Sequence, residues 1–168
     1  MDVTSAIRER RSVRAYQATP VEEEKIIRIL EAGRLSPSAK NRQEWKFIVV
    51  RERETREQLA QGKKFVAEAP VIIVACATEA EYVMFCGQPA GTVDTSIAFA
   101  YMILQAHELG LGTCWLGAFN AAEVKRTLGI PPHVQVVAMT PLGYPAQVPA
   151  PTPRKPLEQV VCYERFVS

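Results

Sequence analysis

Four arginines cluster within seven positions near the start of the 168-residue chain. Arg8, Arg10, Arg11 and Arg14 surround Ser12. A guanidinium group presents a planar fork of N–H donors that suits phosphate oxygens, and the backbone N–H groups of a turn can add further donors. Taken alone, the stretch is compatible with an anion site or with an ordinary solvated basic surface.

Three other segments carry groups that could bind a ligand. Residues 36–43 (Ser-Pro-Ser-Ala-Lys-Asn-Arg-Gln) offer small side chains with hydroxyl and amide donors that could lie against a planar heterocycle. Residues 115–119 contain Gly117 after an apolar strand, where the backbone can approach a ligand closely. Arg154 and Lys155 form a cationic pair in a proline-rich stretch. Ordinary turns and a solvated tail explain the same residues without any ligand.

Standard catalytic motifs are absent from the sequence. It contains no GxGxxG, GxxxxGK[ST], HExxH or GxSxG pattern. The four cysteines include no CxxC pair and there are only two histidines, which argues against a zinc site. Cys76 and Cys114 lie in apolar runs and are predicted to be reduced core thiols, and Asp94 is predicted to interact with a helix dipole. Any chemistry would therefore depend on a bound cofactor.

Composition excludes several classes of protein. Hydrophobic residues make up 48% and charged residues 23%, which is typical of one folded domain and not of a disordered chain. The net charge of +2 disfavours a general nucleic-acid binder. The longest apolar run, residues 97–104, is too short to span a bilayer, and no apolar signal segment is found near Met1. We expect a cytoplasmic protein that does not bind membranes.

The elements that must position these residues follow from periodicity and capping. We predict helices over residues 3–9, 20–35, 52–61, 92–109 and 121–128, a turn at 64–68, and strands over 45–50, 71–77, 113–116 and 134–142. Thr19 and Asn120 are the predicted N-caps, each with a glutamate three residues later in a capping box. The order of these elements predicts an α+β fold with a mixed sheet of four to five strands.

Taken in order, these segments resemble the nitroreductase-like flavoproteins over nearly the whole chain. The residues that carry the resemblance are 10–14, 37–45, 69–70, 94–96, 110–117, 143–145 and 154–155. The resemblance implies a homodimer that holds two FMN molecules at its interface. It further implies one nitroreductase-like domain over residues 1–168, with the long helix at the dimer centre and the tail from about 146 packing on the partner subunit.

The resemblance also implies which residues surround FMN. They are Arg10, Arg11, Ser12, Arg14, Pro37, Ser38, Ala39, Asn41, Gln43, Leu116, Gly117, Arg154 and Lys155. The basic turn and the tail pair would hold the phosphate and ribityl chain, and Arg14 would approach the pyrimidine edge of the ring. Loop 37–43 would come from the other subunit, and the backbone at 116–117 would lie near the hydride-accepting nitrogen. No side chain is assigned as catalytic, and no metal is implied.

The activity implied is FMN-dependent NAD(P)H oxidoreduction. NAD(P)H would reduce FMN in a ping-pong cycle, and a small nitroaromatic, quinone or similar molecule would then accept the electrons. The alternatives are a flavoprotein of the same fold used for reductive dehalogenation, flavin cleavage, or redox storage and sensing. An RNA-contacting module built on the arginine turn is a further alternative, which the small net charge disfavours.

Two departures from the family pattern affect this interpretation. Glu44 stands where the family usually has proline before the tryptophan, which alters the local charge and loop shape. The segment from 78 to 91 is short where many relatives carry helices that cover the flavin. Tyr82, Phe85 and Cys86 could form a smaller lid there, or the segment could be a plain surface loop.

Overall fold

A four-stranded sheet with helices on both faces organises the chain in the computed structural model, which describes residues 1–167. The elements are α1 (Val3–Glu9), α2 (Glu23–Arg34), β1 (Trp45–Val50), α3 (Arg53–Ala60), α4 (Lys64–Glu68), β2 (Val71–Ala77), α5 (Ala90–Glu108), β3 (Gly112–Thr113), α6 (Ala121–Leu128) and β4 (Gln135–Gly143). Short 3-10 turns occur at Ala39–Asn41 and Leu157–Gln159. The predicted α+β class is confirmed.

The strand order is β1-β2-β4-β3, and all three neighbouring pairs are antiparallel. The prediction of a mixed sheet therefore fails for the strands themselves, since the parallel pairing is a single bridge between Ser12 and Thr113. The predicted strand 113–116 is also too long. The N–H of Cys114 donates to the hydroxyl of Thr140 at 3.0 Å instead of to a backbone carbonyl, which interrupts the ladder. Pairing resumes as one bridge at Leu116.

Strand β2 is buried at all seven positions because helices cover both faces of the sheet. Ile73 and its alternate neighbours face the core formed with α2 and α5. Ile72, Val74 and Cys76 face the second core, which includes residues of α3, α4 and α6. The unbroken β-branched run predicted this double burial.

Helix α5 packs one side against the sheet and α2. Phe99 and Met102 are buried in the core, and Gly33 of α2 lies so close that a Cβ there would be 2.7 Å from the Met102 sulfur. On the outer side, Tyr101 is 45% exposed beside a groove that α1 and α2 help to line. Packing within the single chain thus explains the apolar residues on the inner side of α5 but not those on its outer side.

The two predicted N-caps have different outcomes. Thr19 does not cap α2, because the helix begins at Glu23 and Glu22 is its N-cap. The Glu22 carboxylate instead accepts a hydrogen bond from the Tyr144 hydroxyl at 2.7 Å. Asn120 does cap α6, since its side chain accepts from the N–H groups of Ala122 and Glu123. The second hydrogen bond of that predicted capping box, from the Asn120 N–H to the glutamate side chain, is not formed, because the Asn120 N–H donates to the side chain of Gln61.

The C-terminal segment after β4 is extended and mostly exposed as far as residue 167. Large apolar side chains on it have no cover in the single chain. They are Val148, Leu157, Val160, Tyr163, Phe166 and Val167. No helix among residues 1–167 has the length and apolar character that crossing a membrane requires.

Candidate functional site

The basic turn is held against strand β3. The Val13 N–H donates to the Thr113 carbonyl at 2.8 Å, and the Val13 side chain is buried. Gly112 permits this approach, since a Cβ at that position would lie 2.8 Å from the Cβ of Val13. Because side chains alternate along an extended segment, Ser12 and Arg14 point away from Val13.

Ser12 and Arg14 lie near the thiol of Cys114 on that other side. Burial is the main influence on Cys114 and raises its pKa, while the nearby polar groups of Arg14 and Ser12 act in the opposite direction. Two residues further along, Leu116 exchanges backbone hydrogen bonds with Met139 at 2.8 and 3.2 Å. The structure therefore brings the basic turn together with residues 114–117, and Gly117 is exposed with open space around it.

The three arginines before Ser12 differ in their surroundings. Arg11 donates from Nη1 to the carbonyl oxygens of Arg8 and Arg10 at 2.7 and 2.9 Å, so it caps the end of α1. Within residues 1–167, the guanidinium of Arg10 has no hydrogen bond or ion pair, and neither has that of Arg8, which is more exposed. The predicted role of Arg11 beside Arg10 at a phosphate does not include these capping contacts, which commit the Arg11 side chain to the helix end.

Loop 37–43 has an unusual backbone. Lys40, Asn41 and Gln43 adopt φ values of 53°, 54° and 55°. Residues other than glycine rarely occupy this left-handed region, and such conformations persist only where surrounding contacts impose them. One of these contacts is internal, since the Ser38 hydroxyl accepts from the Gln43 N–H at 3.1 Å.

Asp94 supplies another contact to this loop. It is 5% exposed, and its carboxylate accepts from the Ala39 N–H at 3.0 Å. The prediction that Asp94 serves a helix dipole is wrong, because it lies beyond the first turn of α5, where a dipole effect has faded. An acidic residue in the second turn of an apolar helix was the available signal for a specific partner.

The two halves of the predicted site lie far apart in one chain. Loop 37–43 precedes β1, and the first residue of β1 is level with Gln135 at the start of β4. The basic turn pairs with Thr113, which is level with Leu142 near the other end of β4. Four strand spacings separate β1 from the basic turn, which lies on the outer side of β3, so the separation is roughly 19 Å across the strands and roughly 23 Å along them. One small ligand therefore does not reach both halves within a single chain.

The predicted tail cations are not brought to the basic turn either. The hydrogen bonds of the Arg154 guanidinium to the described residues all go to Thr152 and Pro153. Lys155 is exposed. Pro37 and Asn41 are likewise exposed, so their predicted role also depends on something outside the fold of one chain.

Cysteine reactivity gives a first test of this arrangement. Burial raises the pKa of the Cys76 thiol to about 11 and raises that of Cys114, whereas Cys86 is exposed on the 78–91 segment. Since the thiolate is the reactive form, we expect Cys86 at pH 8 to react with an aromatic disulfide reagent at least about tenfold faster than Cys76 or Cys114. Rates in single Cys→Ser variants check this, and similar rates for the three thiols would contradict the burial.

Comparison with known proteins now identifies the family. The sequence model described as the nitroreductase family matches residues 7–64 and 61–144, which is most of the chain. This chain belongs to the nitroreductase family. The match covers the last residues of α1, the basic turn, loop 37–43 and the whole sheet, so every candidate-site residue except Arg154 and Lys155 lies within the matched region.

Relatives with assigned names support the same family. A provisionally named NADH dehydrogenase/NAD(P)H nitroreductase of Methanothermobacter thermautotrophicus is 42% identical over 158 residues, which cover 89% of this chain and 80% of that protein. The FMN reductase [NAD(P)H] of Bacillus subtilis is 29% identical over 99% of this chain and 75% of its own length. Both names describe redox enzymes that use a nicotinamide.

Solved structures agree on the fold. A nitroreductase family protein from Clostridium difficile 630 superposes with a TM-score of 0.89 and 30% identity, covering 99% of this nitroreductase and 100% of that chain. An FMN-dependent nitroreductase from Clostridium difficile R20291 superposes with a TM-score of 0.86 and 31% identity over 98% and 100%. The near-complete coverage in both directions confirms the predicted nitroreductase-like fold.

Proposed function

We propose that this nitroreductase oxidises NAD(P)H through bound FMN and reduces small nitroaromatic, quinone or similar acceptors. That the protein is an FMN-dependent NAD(P)H oxidoreductase follows from family membership and from relatives named as FMN reductase and NADPH nitroreductase. The acceptor class is our extension. Its nitroaromatic part is supported by relatives named NAD(P)H nitroreductase and NADPH nitroreductase.

The residues present fit FMN. A flavin phosphate needs cations with free donors, and the guanidinium of Arg10, two positions before Ser12, is uncommitted within residues 1–167. The ring needs open backbone at its edge, which the exposed Gly117 provides. FMN, when bound, supplies two-electron hydride chemistry, and the chain has to bind and tune it. Arg14 would place a positive charge where the reduced ring becomes negative.

We further propose that the working unit is a homodimer. The observation that carries this is the distance between loop 37–43 and the basic turn, which one chain does not close. The exposed outer side of α5 near Tyr101 and the uncovered apolar tail supply surface for a second copy. In such a pair, loop 37–43 of one subunit completes the site at the basic turn of the other.

An anaerobic titration tests the redox function. The purified protein is expected to be yellow, to bleach with stoichiometric NADH or NADPH, and to recover its flavin spectrum when a nitroaromatic or quinone is added without oxygen. Tight FMN that neither nicotinamide reduces would instead favour redox storage or sensing. A colourless protein that does not take up FMN would overturn the proposal.

Mixed dimers test the shared site. One chain carries Arg10→Glu in the basic turn, and a differently tagged chain carries Ala39→Trp in loop 37–43. If each site combines both segments from different subunits, the mixed dimer has one intact site and binds one FMN per two chains. Each variant paired with itself is expected to bind none. A mixed dimer that also binds none would contradict the shared site.

A further inference from the structure

The segment that follows β2 contacts loop 37–43 through Tyr82. The Tyr82 ring lies 5.2 Å from the Lys40 ammonium and 4.8 Å from the Arg42 guanidinium carbon. Cations near an aromatic ring are attracted to the partial negative charge of its π face, and the attraction is stronger where water is partly excluded. Tyr82 is half-buried, whereas Phe85 further along the same segment is fully exposed. The contact with the loop is therefore specific to Tyr82.

Polar contacts also join the segment after β2 to the end of loop 37–43. The Thr78 hydroxyl donates to the Glu44 carboxylate at 3.0 Å, and the Thr78 N–H donates to the Glu44 carbonyl at 3.1 Å. Arg42 also forms an ion pair with Glu79. Thus Glu44, which replaces the proline usual in the family, ties the end of the loop to the 78–82 segment.

The 78–82 segment is itself anchored to α5. Gly91 packs against the Glu79 carbonyl so closely that any side chain at position 91 would overlap this oxygen. Ala90 donates its N–H to the Tyr82 carbonyl at 2.9 Å. The clamp, meaning residues 78–82 with their contacts to residues 40–44, therefore rests on a rigid helix.

The clamp acts on the residues whose backbone is left-handed. Lys40, Asn41 and Gln43 hold an unfavourable conformation, so a loop released from its outside contacts would sample other shapes. Asp94 fixes one end through Ala39, and the clamp fixes the other. A binding loop held in one shape binds its ligand more tightly because less ordering remains to be done on binding.

We propose that Tyr82 is a positioning residue that keeps loop 37–43 in the shape that receives FMN. This inference rests on the proposed function. When only a fraction of molecules has the competent loop, the apparent Kd rises by the inverse of that fraction. The loss would fall mainly on association, because the bound state, once formed, retains its contacts to the flavin.

The test compares Tyr82→Leu with Tyr82→Phe. Leucine removes the aromatic face and keeps an apolar side chain, while phenylalanine keeps the face. We expect Tyr82→Leu to weaken FMN binding about three- to tenfold, mostly through slower association, and Tyr82→Phe to stay within about twofold of the wild type. Flavin fluorescence in stopped flow gives both rate constants, and thermal unfolding of the apoprotein separates this effect from general destabilisation.

Several results would overturn the inference. They are wild-type FMN affinity in Tyr82→Leu, an equal loss in Tyr82→Phe, or a loss confined to faster dissociation. If the wild type binds no FMN, the proposed function fails instead. If Tyr82→Leu does not fold, Lys40→Met tests the same contact from the loop, and wild-type association in that variant would refute the clamp.

Discussion

Replacing Arg10 by alanine is expected to raise the Kd for FMN about ten- to hundredfold, while Arg8→Ala raises it less than about threefold. A hydrogen bond from a guanidinium to a phosphate is worth about 1.5–3 kcal/mol, which converts to that range of affinity. Each variant removes one positive charge near the same turn. A difference in FMN affinity between the two variants therefore does not come from net charge.

The structure explains why Arg10 and Arg8 should contribute differently to FMN binding. Arg10 ends α1 next to the segment that pairs with β3, with its guanidinium uncommitted within residues 1–167. Arg8 contributes its backbone carbonyl to the contact with Arg11, and alanine retains that carbonyl. Fluorescence titration of the apoprotein with FMN at two salt concentrations measures the effect. Equal dissociation constants for the two variants would remove the phosphate assignment of Arg10.

The second large effect is expected from Phe99→Ala, which should lower the free energy of unfolding by about 3–5 kcal/mol. Phe99 is fully buried in α5 and meets the Trp115 ring edge to face, with 5.1 Å between the ring centroids. Truncation leaves a cavity between α5 and the sheet. It also removes support from Trp115, which directly precedes the backbone at 116–117 that we assign to the flavin.

Phe85→Ala is the matched control, since the same side chain is removed from a fully exposed position. Chemical denaturation of both apoproteins is expected to show a change of less than about 0.5 kcal/mol for this control. A small loss of stability in Phe99→Ala would mean that the core closes around the missing ring. A large loss in the control would mean that Phe85 is covered, for example by a second subunit.

The elements of this fold were largely predictable because each depends on local pattern. The run 71–77 is β-branched and apolar at successive positions, which leaves few alternatives to a central strand, and β2 spans those residues. Strand β1 likewise spans the predicted residues 45–50, and α5 starts two residues before its predicted first residue and ends one residue before its predicted last. Turn and cap details were less predictable, since Glu22 bonds to the distant Tyr144.

The sequence by itself determined the family, the order of the elements and the location of the arginine cluster, because motifs and periodicity are properties of neighbouring residues. Tertiary structure decided which of these groups are free to act. It placed the Arg11 guanidinium on the carbonyl groups at the end of α1, the Asp94 carboxylate on the Ala39 N–H, and the Tyr82 ring within about 5 Å of the cations of Lys40 and Arg42. These contacts join residues that are far apart in the chain or depend on side-chain geometry, and no local pattern records such distances.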